Sequence, residues 1–507
     1  MKTSILSIIF AAAIAVPQLQ AELSLHALFT DHAVIQADLP APVWGKGDVG
    51  AKIKVEFAGQ TQGTTVGDDG TWLVTLDPMN SNADGQPLKV SSGDESKTLN
   101  DILVGEVWVC SGQSNMAWAV RNTDDAEMVQ KEAAANEYAK IRLFKVAPAG
   151  EDKPLTDLNI SWQLANEETV VSFSATGFYF GRALHKARDT PVGLLQAAMG
   201  GTNAYSWINN ETYSSDPAAA VSKEWWEEQM KGYPAAKERY EKALAAHKAK
   251  GGKGRAPRAP EGPDHMKRPS GHYNAMISPL QPYAIRGAIW YQGERNSRPP
   301  FATQYKDLMF ALIEDWRADW PKRADGERRD FPFYVVQLPN YANGDPSGWP
   351  AVQEQMLKIW TEGKNTGAAI TIDVGDPKDI HPSNKLPVGE RLALHARATT
   401  YGENIVYSGP IYSGVTFNDG AAIVTFDHVG DGLISKDGEP LKYFEIGDAD
   451  GTFFEPDEIE INGNTVTLKS VAVPNPTAVR YAWMNNPEKP NFFNKNLLPA
   501  APFRCGE

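Results

Sequence analysis

Ser114 stands in Val109-Cys-Ser-Gly-Gln-Ser-Asn-Met-Ala117, where the apolar run Ile102 to Val109 gives way to small and polar residues. A strand that ends in such a turn presents a serine hydroxyl at the carboxyl edge of a parallel sheet, where open α/β folds place their ligands. Serine is a poor nucleophile at neutral pH unless a base takes its proton and a third group orients that base. The plainer use of the segment is a polar turn opening a helix, with Ser114 or Asn115 as its N-cap.

Nine histidines compete for the role of base. His381 has the best position, in Asp373-Val-Gly-Asp-Pro-Lys-Asp-Ile-His-Pro382, after the apolar run Ala368 to Ile372 and before a helical stretch beginning near Pro387. A parallel sheet delivers that loop to the same edge as Ser114. Asp379 is the nearest acid for the second ring nitrogen, with Asp376 and Asp373 as alternatives, and the same acids equally suit an Asx turn and a helix cap. His428, in Phe426-Asp-His-Val-Gly430, falls in a terminal β region, while His185, His247 and His395 sit on helical stretches where packing or solvent explains them.

A tetrahedral intermediate carries negative charge on oxygen and needs donors aimed at it. Met199-Gly-Gly-Thr-Asn203 follows the apolar run Val192 to Ala198, and Gly201 there offers a backbone N–H to which a substrate can come close. Together with the N–H of Ser114 it would form an oxyanion hole. Trp290-Tyr-Gln-Gly-Glu294 follows a third apolar run, Ala284 to Ile289, and places the Gln292 amide at the equivalent edge. Three polar sites at three strand ends point to catalysis more strongly than any one of them. No His-Glu-x-x-His, paired Cys-x-x-Cys, phosphate loop or dinucleotide fingerprint is present, so the expected chemistry uses neither metal nor cofactor.

Alternation of strands with helical stretches (Phe178 to Lys186, Tyr305 to Trp316, Val352 to Trp360, Pro387 to Thr399) argues for a parallel α/β sheet over residues 101–402. Within it, Lys223 to Lys250 reads as a helix and is followed by a Gly, Lys, Arg and Pro connector, a helical insertion of about 212–270. Residues 22–100 hold short alternating runs (Lys52 to Phe57, Thr71 to Leu76, Pro87 to Val90) between Gly and Asp turns, the pattern of a small antiparallel β domain. Residues 403–507 form a second β region with Asn-Gly and Asp-Gly turns.

The chain of 507 residues carries a formal charge of −14, which disfavours nucleic acid as a partner. Lys2, the apolar run Ile5 to Val16 and the small residue Ala21 have the layout of a secretory signal peptide over residues 1–21, so the mature protein is expected in the periplasm or outside the cell. No later stretch approaches the roughly 20 apolar residues of a membrane span. Cys110 and Cys505 are the two cysteines, and their pairing is left open by the sequence.

Gly112-Gln-Ser-Asn-Met116, Gly200-Gly-Thr202, Trp290-Tyr-Gln-Gly-Glu294 and Asp379-Ile-His-Pro382 resemble, in order, the blocks of the sialate O-acetylesterase family within the SGNH hydrolases. Tyr273-Asn-Ala-Met-Ile277 and Arg480-Tyr-Ala-Trp483 extend the likeness from about Leu28 to Arg504. The resemblance implies a flavodoxin-like three-layer α/β/α domain with accessory β-sandwich-like regions at both ends. It also implies a serine esterase that deacetylates sugar hydroxyls through an acyl-enzyme, with Ser114 as nucleophile, His381 as base, and Gly201 and Gln292 as oxyanion donors. The superfamily's usual acid position, three residues before the histidine, holds Lys378, which leaves Asp379 and Asp376 open. Asn115, Trp290, Glu294 and Arg295 are candidate substrate contacts; Arg295 stands where relatives carry serine and either binds a substrate carboxylate or pairs with Glu294. Met199 stands where relatives often have tryptophan. Trp207, Tyr291 and Trp349 are aromatic candidates for stacking on sugar, or core. An acetylxylan or other polysaccharide esterase on the same scaffold and a non-catalytic glycan-binding protein are the alternatives.

Overall fold

The computed structural model describes residues 22–320 and 330–506, and the expected signal peptide lies outside them. Its organising element is one strand, Glu95–Gly112. Over Glu95 to Val104 this strand pairs antiparallel with Asn82–Ser92, with register breaks after Leu99, and over Glu106 to Gly112 it pairs parallel with Val192–Ala198 and Gly287–Tyr291. Its burial changes accordingly, from alternating positions before Asp101 to complete burial from Ile102 onward. The second half is mostly apolar because a parallel strand is covered on both faces, and its buried Glu106 is paired with Arg286.

The parallel strands run in the order Ile141–Lys145, Val192–Ala198, Glu95–Gly112, Gly287–Tyr291, Phe333–Val336 and Thr366–Ala369, with Gln163–Leu164 antiparallel at the outer edge. Val192–Ala198 and Gly287–Tyr291, which flank the long strand, are buried throughout. The last two strands are short, Phe333–Val336 and Thr366–Ala369, the latter starting two residues before the apolar run Ala368 to Ile372 and ending inside it.

Helices connect the strands. Ala175–Arg188 starts where Ser174 Oγ accepts the Gly177 N–H at 3.0 Å and stops at Asp189, which adopts a left-handed conformation. It packs against Leu386–His395, and Tyr305–Asp319 packs against Gly348–Glu362. The predicted insertion helix spans Ala220–Ala249 and is solvated over most of its length, with Ser222 its one buried residue.

The early strands form a sheet of Ser24–Leu25, Ala41–Lys46 and Thr71–Leu76, and a ladder of Gln60–Thr65, Lys52–Phe57 and Asn82–Ser92 that joins the long strand. After Thr400 come two four-stranded antiparallel sheets and one two-stranded pair. The hairpin between Ile411–Asn418 and Ala421–Asp427 turns on Asp419 and Gly420, both at positive φ, as a two-residue hairpin loop requires. The molecule is therefore mixed α/β with several sheets. Among the described residues no helix is long and apolar enough to cross a membrane, and Cys110 and Cys505 are not joined in a disulfide.

Candidate active site

Gly112 pairs with Ala198 on one side and with Tyr291 on the other, so three parallel strands finish level with one another. The turns that follow, Gln113 to Ser114, Met199 to Gly201 and Gln292 to Glu294, all leave at that edge. Gly112 has φ +137°, and a β-carbon there would lie 2.2 Å from the Tyr291 carbonyl oxygen. Ser114 opens the one-turn helix Ser114–Ala117. Gly200 lies against it, since a β-carbon on that glycine would be 3.4 Å from Ser114 Cβ, and Gly201 follows at φ +67°. Among the described residues the N–H groups of Ser114 and Gly201 find no backbone acceptor. They are two unengaged donors beside one hydroxyl.

His381 arrives from the loop after Thr366–Ala369 and is fastened to the serine turn by two contacts. Its ring stacks on Trp118 at 4.8 Å with 5° between planes, and Asn115 Nδ2 donates to the carbonyl of the preceding Ile380 at 2.9 Å. Ser114 and His381 thus belong to one edge, without a direct hydrogen bond between their side chains; such bonds commonly tighten only when substrate is bound. Of the three acids in the loop, Asp379 reaches the imidazole, with Oδ1 3.5 Å from Nδ1, and the same oxygen accepts the His381 N–H at 2.9 Å. Asp376 instead accepts the N–H groups of Lys378 and Asp379, and Asp373 binds Arg391 through both oxygens. Burial holds the imidazole below its ordinary pKa; Asp379 pulls it up and Lys385 pushes it down.

Several expectations need correction. Gln292 Nε2 faces three protein acceptors, Gln113 Oε1 at 3.1 Å, Thr202 O at 2.9 Å and Asn296 Oδ1 at 2.7 Å, while its Oε1 accepts from Tyr305. An amide has two hydrogens, so none remains for an oxyanion. Trp290, a candidate substrate contact, is a core residue with no exposed surface, and of the two uses open to Trp207, Tyr291 and Trp349 the structure shows the core one. Trp290 packs edge-on against Trp207 and Trp316. Arg295 pairs with Glu261 at 3.1 Å rather than with Glu294. Glu294 and Asn115 are buried and bonded to each other, beyond the reach of a sugar.

Beneath the serine turn lies a polar network that the motifs did not signal. Asn115 Nδ2 donates to Glu294 Oε1 as well as to Ile380, and Asn115 Oδ1 accepts from Lys385 Nζ at 2.6 Å. Lys385 is fully buried, and its ammonium lies 5.4 Å from the centre of the Tyr291 ring. Burial pushes Lys385 down to about 7 and Glu294 above the usual carboxylate range. Gln113 is the second hidden tie: its Oε1 accepts from Gln292 and from the N–H groups of Gly293 and Arg295, which locks the first block to the third.

Residues 104–252 and 257–396 match the family model for carbohydrate esterases described as sialic acid-specific acetylesterases. The chain belongs to this family. The sialate O-acetylesterase of Mus musculus is 30% identical over 91% of this chain and 90% of its own length, and that of Homo sapiens is 28% identical over 91% and 88%. The crystal structure of a carbohydrate acetylesterase from Xanthomonas citri superposes with a TM-score of 0.79 at 32% identity, covering 95% of this chain and 99% of the other. The family blocks account for Ser114, Gly201 and His381. Trp118, Gln113 and Lys385 carry signals too ordinary to find by eye: an aromatic one helical turn past the serine, a glutamine inside a motif, and a lysine just before an apolar helix.

Proposed function

We propose that this esterase removes O-acetyl groups from an acidic sugar, an O-acetylated sialic acid, by way of a serine acyl-enzyme. Ser114 Oγ attacks the acetyl carbonyl as His381 takes its proton; Nδ1 faces Asp379, which leaves Nε2 for the serine. Negative charge on the carbonyl oxygen is met by the N–H groups of Ser114 and Gly201. The sugar alkoxide leaves with the proton from the imidazolium, and a water activated by His381 then releases acetate.

The observation that carries this reading is the level ending of three parallel strands at Gly112, Ala198 and Tyr291, which brings a serine, a glycine turn and the histidine loop's anchor to one edge. The preference for an acidic sugar rests on Lys267. Its Nζ lies 2.9 Å from where a β-carbon on Gly201 would be, it is half-buried, and among the described residues no side-chain hydrogen bond or ion pair engages it, while Glu261, the nearest opposing charge, is held by Arg295. We further assign residues 101–402 to a flavodoxin-like three-layer SGNH domain flanked by β regions 22–100 and 403–507, exported after cleavage near Ala21. Acetate release from a chromogenic acetyl ester and from O-acetylated sialic acid tests the chemistry. Ser114→Ala and His381→Ala are each expected to lower kcat about 1,000-fold or more, and unchanged turnover in either removes that residue from the mechanism. Faster release from acetylated xylan than from the sialic acid would move the substrate to neutral polysaccharides.

A further inference from the structure

Lys385 is a buried ammonium at this edge that the reaction as written leaves unused. Its position is costly in two ways: the charge is removed from water, and it sits at the N-cap of Leu386–His395, where a helix dipole disfavours positive charge. What it gains is a 2.6 Å hydrogen bond to Asn115 Oδ1. Asn115 in turn directs both amide hydrogens elsewhere, to Glu294 and to the Ile380 carbonyl, so every polar atom of its side chain is engaged. One amide next to the nucleophile therefore joins three segments: the serine turn, the Trp290 to Asn296 segment, and the histidine loop on both sides of His381.

We infer that Lys385 is a positioning residue of this esterase, which acts through the Asn115 amide to hold the serine turn and the histidine loop in the register that proton transfer needs. The inference rests on the serine and histidine mechanism proposed above. Loss of the lysine frees Asn115 Oδ1 to turn toward other donors, and the Ile380 anchor loosens with it. A misplacement of about 1 Å between catalytic groups lowers turnover by about 100-fold while leaving substrate binding largely intact. The lysine has a second influence, through space. The charged groups that face His381 are Asp379 and Lys385 on its own loop; Trp118 covers the ring from the serine turn, and Glu294 and Tyr291 face Lys385 from the third block. With the ammonium present, the imidazole stays unprotonated to lower pH.

The test is the pH profile of kcat/KM, with kcat and KM separately, for Lys385→Met, Lys385→Arg, Asn115→Ala and the double variant Lys385→Met/Asn115→Ala. Lys385→Met is expected to lower kcat at least 10-fold with KM within about 2-fold, and to move the acid limb to higher pH. Lys385→Arg, which keeps the charge but not the fit, lowers kcat and leaves the acid limb in place. The double variant should be no slower than the worse single one, because both changes cut the same link. An unmoved acid limb in Lys385→Met, kcat within 2-fold of the parent, or losses that multiply in the double variant overturns the inference. Should Lys385→Met fold poorly by circular dichroism, Asn115→Ala cuts the link from the other end, and a kcat within 2-fold of the parent there overturns it equally. Ser114→Ala, run alongside, separates the two claims, since its continued activity would sink the serine mechanism and not the lysine alone.

Discussion

At the scale of single residues, His381, the proposed base, is an imidazole under opposing influences. Desolvation and Lys385 favour the neutral ring, and Asp379 favours the charged one. Protonated imidazole cannot accept the serine proton, so on the proposed mechanism activity is expected to fall as pH drops through the His381 pKa, which burial holds below the ordinary imidazole value of about 6.5. Asp379→Asn removes the group that raises it. The acid limb of kcat/KM should then move to lower pH, the reverse of the Lys385→Met shift, and a move to higher pH would show that Asp379 does not act on the ring. The shift is modest because Asp379 is largely exposed and water screens its charge.

At the scale of elements, the edge that carries Ser114 depends on strand endings more than on strand cores. Gly112 is where the long strand must stop level with Ala198 and Tyr291 and hand the chain to Gln113 and Ser114. Its φ of +137°, with the Tyr291 carbonyl oxygen 2.2 Å from where a β-carbon would sit, leaves room for no side chain. Gly112→Ala is expected to cost about 3 kcal/mol or more in urea unfolding, or to abolish soluble expression, because the strain falls on backbone atoms of two paired strands. A variant as stable as the parent would mean that the strand ends can separate, and with them the turns they hold. The same logic explains Gln113 and Gln292. Their amides fill hydrogen bonds that tie the loops to one another.

At the scale of the whole molecule, net charge and local field point in opposite directions. The chain carries −14 overall, yet Lys267 stands beside Gly201, on the turn that lies against Ser114, while Arg295 is paired with Glu261. Local potential in a cleft decides which substrates are drawn in, independent of the sign of the total. Lys267→Ala should therefore narrow the ratio of kcat/KM for O-acetylated sialic acid over a neutral acetyl ester, by about 10-fold and chiefly through KM for the acidic substrate. An unchanged ratio would remove Lys267 from recognition. Added salt should narrow the same ratio in the parent, with less effect on the variant.

Much of the site is legible in the residues alone. Largely apolar runs of five to eight residues followed by Ser114, Gly201 and His381 mark buried parallel strands and the loops they carry, because a strand covered on both faces is mostly apolar, with buried exceptions such as Glu106 and Gln196 that find partners. Local sequence also set the Asp419-Gly420 hairpin and the Ser174 helix cap, since both depend on residues within a few positions of one another. What only the tertiary structure decided was partnership across long separations. Whether Gln292 has a hydrogen to spare depends on Gln113, Thr202 and Asn296; whether Trp290 meets sugar or core depends on Trp207 and Trp316; and Lys385 meets Asn115 from 270 positions away. Hydrogen-bond capacity and burial are properties of the space around a side chain, and that space is filled by segments whose order along the chain does not reveal their distance.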